Sequence, residues 1–201
     1  MNEKKKLRIL DVGSGKSTAL KVFKDIIDQG YEYELVRVDI NPSNEPDVVH
    51  DIRKPFPPEL LGQFDLVLAS HVLEHIERSI VTTTVKNIAE TLAYMGELWI
   101  VVPSMEWCAE QIMAGNYEVA IWQCIYGGGE PNMPNYYYHH QGYVLPMLRI
   151  LLVGAGLVER RAFQQPFSIN FPKADGTIYT THALQDIVVG ARMKPPVEII
   201  E

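Results

Sequence analysis

The sequence predicts an α/β chain: a doubly wound, mostly parallel seven-stranded sheet with an insertion after the fifth strand. Three observations carry this. Short apolar runs alternate with segments of helical spacing. The runs are apolar nearly throughout, as strands covered on both faces require. A glycine turn, Gly13-Ser14-Gly15, stands directly after the first run.

Leu7–Val12 is the first strand, and Leu20, Val22, Phe23, Ile26 and Ile27 then keep helical spacing until Gly30. Tyr33–Asp39 is the second strand, closed by Asn41-Pro42, and Asp47–His50 is the third. Only Ile40–Asp47 lies between them, whereas parallel neighbours usually need a longer helical crossover. Eight extended residues reach roughly 26 Å, enough to return along a five-residue strand of about 17 Å. The crossover is therefore expected to be a loop. Phe64–Ala69 is the fourth strand, Ser79–Leu92 a helix with apolar residues at Ile80, Val81, Val85, Ile88, Ala89 and Leu92, and Glu97–Val102 the fifth strand, stopped by Pro103. Gly142–Ala155 is a helix, and Leu157–Phe163 and Leu184–Met193 are the sixth and seventh strands. Residues 104–141 break the alternation and read as an insertion, or lid, within one domain spanning 1–201. Trp107, Met113 and Trp122 are spaced there as core residues.

Eighteen basic against twenty-five acidic residues give a net charge of −7, which argues against broad capture of nucleic acid or anionic lipid. No apolar run approaches the roughly 18 residues of a membrane span. Cys108 and Cys124 lack metal-ligand spacing and are too few for a disulfide framework, so a reducing, cytoplasmic setting is expected.

Asp11-Val12-Gly13-Ser14-Gly15-Lys16-Ser17 stands at the mouth of the first strand. Glycines there let backbone approach a ligand, and a following helix offers free N–H groups to an anion. A phosphate-binding P-loop would need glycine at position 10, which is Leu10, and a metal-binding aspartate ending a later strand, whereas Asp65 precedes its strand. A dinucleotide fingerprint would need a third glycine where Thr18 stands. The third ligand reading is S-adenosylmethionine (SAM), and the alternative to all three is a tight strand–helix turn with no ligand.

Phe64-Asp65 opens the fourth strand, Ser70 closes it, and Val72-Leu73-Glu74-His75 follows. With the glycine turn and the aspartates ending the second and third strands, this order resembles the class I SAM-dependent methyltransferases, in a branch acting on small molecules. The resemblance covers roughly residues 7–103, and 142–193 by element order. Ser17 departs from a pattern that prefers a third glycine. The resemblance implies a Rossmann-like methyltransferase fold with SAM as cofactor. Asp11, Gly13, Ser14, Gly15 and Lys16 would hold its methionine end, and Ser70 and His71 would border it.

Asp39 lies 24 residues after Gly15, near the spacing at which a carboxylate accepts ribose hydroxyls in doubly wound folds, with Ile40 beside it. Its alternative is a capping or turn aspartate before Asn41-Pro42. Asp51 and Ile52 suit adenine, the carboxylate accepting from the exocyclic amine and the side chain of Ile52 covering the ring. Asp51 could instead cap a turn before Arg53-Lys54-Pro55.

His71-Val72-Leu73-Glu74-His75 also matches a zinc-protease pattern that needs both histidines on one helix face. Its place directly after a buried strand argues against that helix, so no metal is expected, and Glu74 and His75 are read as structural. His139-His140-Gln141-Gly142-Tyr143 resembles a His-x-x-Gly-aromatic stretch near the acceptor side of such methyltransferases. Tyr136, Tyr137, Tyr138 and His140 are candidates for a substrate pocket, or for ordinary packing of a lid. If the acceptor is a hydroxyl, a base is useful; His139 is the first candidate and His71 the second. The expected acceptor is a small molecule such as a sugar or sugar-linked metabolite. A catalytically silent SAM-binding scaffold and a P-loop phosphotransferase are the rival readings.

Overall fold

A computed structural model describes residues 6–16, 31–117, 121, 125–127, 137–167, 170–172, 178–180 and 184–193. The expected helix after Gly15, and Ser17, Trp122, Cys124, Gly128, Gly129 and Tyr136, lie outside these residues. The strands are β1 (Leu7–Val12), β2 (Tyr33–Asp39), β3 (Val48–Val49), β4 (Phe64–Ser70), β5 (Leu92–Pro103), β6 (Leu157–Phe167), β7 (Asn170–Pro172), β8 (Ile178–Thr180) and β9 (Leu184–Met193). The described helices are α1 (Val81–Ala89), α2 (Met105–Met113) and α3 (Leu145–Gly154).

One seven-stranded sheet runs in the order β3-β2-β1-β4-β5-β9-β6, and β7 and β8 form a separate antiparallel pair. The pairs from β3 to β5 are parallel. Strand β9, the predicted seventh, is antiparallel to β5 on one side and to β6 on the other. The sheet is thus seven-stranded and mostly parallel, as expected. The order reverses between β1 and β4, and crevices at such switch points open at the carboxyl ends of parallel strands.

The alternation of side chains along each strand explains the two-sided core. Leu10, Val12, Val67, Ala69, Leu98, Ile100 and Val102 enter one buried cluster with residues of α1 and α3, while Ile9, Leu66, Leu68, Trp99 and Val101 enter a second. Each fully buried Leu, Ile or Val contributes about 1.5–3 kcal/mol, so these strands carry much of the stability beneath the crevice.

The short crossover is a loop. Asn41 accepts from the Ser43 amide at 3.0 Å and starts a single 3-10 turn, Pro42–Asn44, before the chain returns to pair Val38 with Val48. Strand β5 starts at Leu92 rather than Glu97, with a pairing irregularity between Phe64 and Leu66. The helix expected over Ser79–Leu92 shortens accordingly to α1. In the 104–141 segment, Ser104 accepts from the Trp107 amide at 3.2 Å and caps α2. Trp107 is buried as expected, but Met113 is 87% exposed, because only the first turn of α2 packs inward. Ser104 bridges to Tyr143, so the segment leaves the sheet and returns at one place.

Candidate functional site

The carboxyl ends of β1 and β2 are tied together by Asp39. Its side chain is buried, with one oxygen accepting from the Gly15 amide at 2.8 Å and the other from the Asn41 amide at 2.8 Å. The amides of Gly13 and Ser14 donate to the Val38 carbonyl at 2.8 and 3.1 Å. Gly13 sits at φ +66°, and a Cβ there would lie 2.5 Å from Val72 Cγ2, so this turn needs glycine for both its conformation and its packing. Arg37, which the sequence did not single out, donates to the carbonyls of Gly15, Asn44 and Glu45 and clasps the two loops.

Past β3, Asp51 receives Nε of Arg53 at 2.8 Å and Nη2 at 2.9 Å. Those hydrogen bonds hold its carboxyl below the usual carboxylate range, against the opposing effect of burial. Ile52 is buried beside it.

After β4 the chain turns sharply. His71 has φ +53°, rare for a residue with a side chain, and its amide donates to the Val101 carbonyl at 2.9 Å. Leu73–His75 is a single 3-10 turn, so His71 and His75 share no helix face and the zinc-protease geometry does not form. This turn receives residues 138–143. The Tyr138 carbonyl accepts from His75 Nδ1 at 3.2 Å, and the His140 amide donates to the Glu74 carbonyl at 2.7 Å. Gln141 donates to the Ile76 carbonyl at 2.8 Å, and the Tyr143 hydroxyl to that of Leu73 at 3.2 Å. The two motifs form one wall.

A buried charge cluster lies within it. His71 is flanked by two carboxylates, with Nε2 3.1 Å from Asp186 on β9 and Nδ1 3.4 Å from Glu74. Burial disfavours the charged ring, but Asp186 and Glu74 outweigh it and raise its pKa to about 10. The Glu74 carboxylate is 1% exposed and also lies 4.0 Å from His139 Nε2. Burial pushes its carboxyl up, but the three histidines around it hold the pKa below the usual value. For His75, burial is the largest influence, and the pKa is lowered. Both ring nitrogens of His71, the second base candidate in the sequence, face carboxylates, and that pairing opposes uptake of a further proton from an acceptor.

A cavity of about 490 Å³ opens over these elements, within the range of ligand sites. Of the residues singled out in the sequence, Gly13, Gly15, Asp39, Ile40, Asp51 and Ile52 line one part. His71, Tyr137 and His140 line the other, together with His75, which had been read as purely structural. Asp11 and Ser14 are buried and, with Ser70 and the exposed Lys16, stand outside the lining. Tyr138 contributes its carbonyl to His75 rather than a pocket surface. His139 is also off the wall, its side chain 7% exposed and facing Glu74 and His75, whose ring centroid is 4.8 Å away.

Residues 2–140 match the family pattern described as a methyltransferase domain. No curated protein matches the sequence. Among solved structures, the chain is similar to the citrinin polyketide synthase CMeT domain, at 16% identity and TM-score 0.57. That match covers 97% of this chain but 48% of that one, so this chain spans about half its length. It is also similar to the 1,6-didemethyltoxoflavin-N1-methyltransferase of Burkholderia thailandensis, solved with 1,6-didemethyltoxoflavin and S-adenosylhomocysteine. Identity there is 15%, coverage 94% and 72%, and TM-score 0.54. A SAM-dependent methyltransferase of Methanosarcina mazei gives 13% identity, coverage of 95% and 94%, and TM-score 0.59. At these identities the likeness is one of fold.

Proposed function

The chain belongs to the methyltransferase domain family, and we propose that it transfers a methyl group from SAM to a small-molecule acceptor bound in the cavity described above. The observation that carries this reading is Asp39: a buried carboxylate at the end of β2, fixed by the Gly15 amide, on the wall of a cavity at the sheet's switch point. One structural neighbour was solved with bound 1,6-didemethyltoxoflavin and S-adenosylhomocysteine, which supports the cofactor and a small-molecule acceptor.

Bound here, SAM would supply an activated methyl group on a sulfonium, with the neutral thioether as its own leaving group. The chain's own task is placement and shielding. Asp39 offers its remaining lone pairs to ribose hydroxyls, since each carboxylate oxygen accepts more than one hydrogen bond. The Gly13–Gly15 backbone accommodates the amino-acid end, and Ile52 covers the adenine, with Asp51 accepting from its amine while held by Arg53. Tyr137 and His140 face the acceptor. For a hydroxyl acceptor, the proton passes to His140, which stands on the cavity wall where His139 does not. The described residues 137–140 of the insertion supply Tyr137 and His140 to the acceptor side, and the bridge between Ser104 and Tyr143 anchors the segment at its base.

Calorimetric titration of the full chain with S-adenosylhomocysteine, ATP and NAD tests the cofactor, and transfer of labelled methyl from SAM to a panel of sugars and other hydroxylated metabolites tests the reaction. Selective binding of S-adenosylhomocysteine with turnover of a panel member is expected. Equal affinity for ATP or NAD overturns the reading. Binding without turnover across a broad panel favours the silent scaffold.

A further inference from the structure

Glu74 is 1% exposed; His71 Nδ1 pairs with it at 3.4 Å, and among the described residues neither carboxylate oxygen has a closer hydrogen-bond partner. A buried carboxylate with one loose cationic partner has acceptor capacity left for a further cation. Two more imidazoles point at it. An oxygen of Glu74 and one nitrogen each of His75 and His139 lie within 4.8 Å of one another.

The surroundings orient these rings. His75 must donate from Nδ1, because its partner there is the Tyr138 carbonyl, so Nε2 carries the lone pair. A hydrogen bond from the far nitrogen is how proteins set the tautomer of a ligating histidine. Gly127 closes against the other ring, since a Cβ there would lie 2.9 Å from His139 Cδ2.

We propose that Glu74, His75 and His139 bind one divalent transition-metal ion, with Zn²⁺ as the reference ion, at the histidine-bearing wall of the cavity. Two imidazoles and a carboxylate form a donor set that zinc uses with its fourth position open. Tetrahedral binding at about 2.0–2.2 Å puts ligand atoms ~3.3 Å apart, so the three side chains need only close inward by about an ångström. His75 lines the cavity, which turns the open position toward it. No metal was expected from the sequence, where the only histidine pair weighed was His71 and His75 on a helix; the proposed site departs from that expectation because the tertiary fold brings His139 to Glu74 and His75. An oxygen of the acceptor bound to the ion would lose its proton more readily, a role that rests on the methyl-transfer reading, whereas ion binding does not.

Full-length protein stripped with chelator is titrated with Zn²⁺, Mn²⁺ and Co²⁺ against a chromophoric chelator, with the Co²⁺ absorption spectrum as a second readout. One equivalent is expected, retained in His140→Ala. Affinity should fall in His75→Ala and in His139→Ala by more than the ~10–100-fold of an outer-shell change. Glu74→Gln is a further variant, and circular dichroism identifies any variant that fails to fold. Absence of a stoichiometric site, or equal affinity in wild type and folded His75 and His139 variants, overturns the proposal. Titration of the same samples with S-adenosylhomocysteine separates the two readings: cofactor binding without a metal site overturns only this one.

Discussion

His75 Nδ1 donates to the carbonyl of Tyr138 at 3.2 Å, joining residues 63 positions apart. Around that bond, Leu73, Glu74 and Ile76 offer carbonyls to Tyr143, His140 and Gln141. Two stretches that read as separate motifs in the sequence therefore make a single wall, and each depends on the other for its conformation.

Removing one of those bonds should loosen the wall. Tyr143→Phe deletes the hydroxyl that reaches Leu73, in a buried position, and should cost about 0.5–1.5 kcal/mol in urea unfolding. The His140 amide, bonded to Glu74, should exchange faster in the same variant. Unchanged exchange would show that the bond does not hold the segment in place.

Asp186 and His71 form a second long-range pair, with Nε2 and the carboxylate 3.1 Å apart. Asp186→Asn keeps an acceptor but removes the charge that compensates the ring. The expected loss at neutral pH is about 1.5–3 kcal/mol, the range for a hydrogen bond to a charged group. A variant as stable as wild type would mean that His71 is not cationic in the folded protein.

Asp39→Asn should weaken S-adenosylhomocysteine binding by roughly 10- to 150-fold, corresponding to about 1.5–3 kcal/mol. The substitution leaves one oxygen where two now serve Gly15 and Asn41. Chemical-shift changes confined to those loops would separate a local effect from unfolding. An unchanged titration would remove Asp39 from the cofactor site.

Asp51 gives a pH prediction whose sign is fixed by its partner. Arg53 lowers its folded pKa, so the pair stabilises the protein above the unfolded carboxyl value of about 3.9, and this is lost as pH falls through the lower folded value. With the Arg53 side chain 41% exposed, the contribution is at most about 1 kcal/mol. The stability difference between wild type and Asp51→Asn should hold constant from neutrality to about pH 5 and shrink only in more acid solution. A difference that vanishes above pH 5 would contradict the lowered pKa.

Local periodicity in the sequence determined the seven strands of the main sheet and the described helices to within their ends, because an apolar run or a helical stripe is written in neighbouring residues; the β7–β8 pair was not legible that way. The reach of an extended chain determined that β2 and β3 are joined by a loop, and the glycine turn and Asp39 were legible because they stand at strand ends. The order of the strands was not legible. Only the tertiary structure set β9 between β5 and β6, and so brought Asp186 across 115 residues to His71, where the carboxylate favours the charged ring. It also turned His139 away from the cavity toward Glu74 and left Met113 in solvent. The protonation state of a buried histidine, and the direction a loop side chain takes, depend on which charges and surfaces arrive from distant elements; no local pattern encodes them.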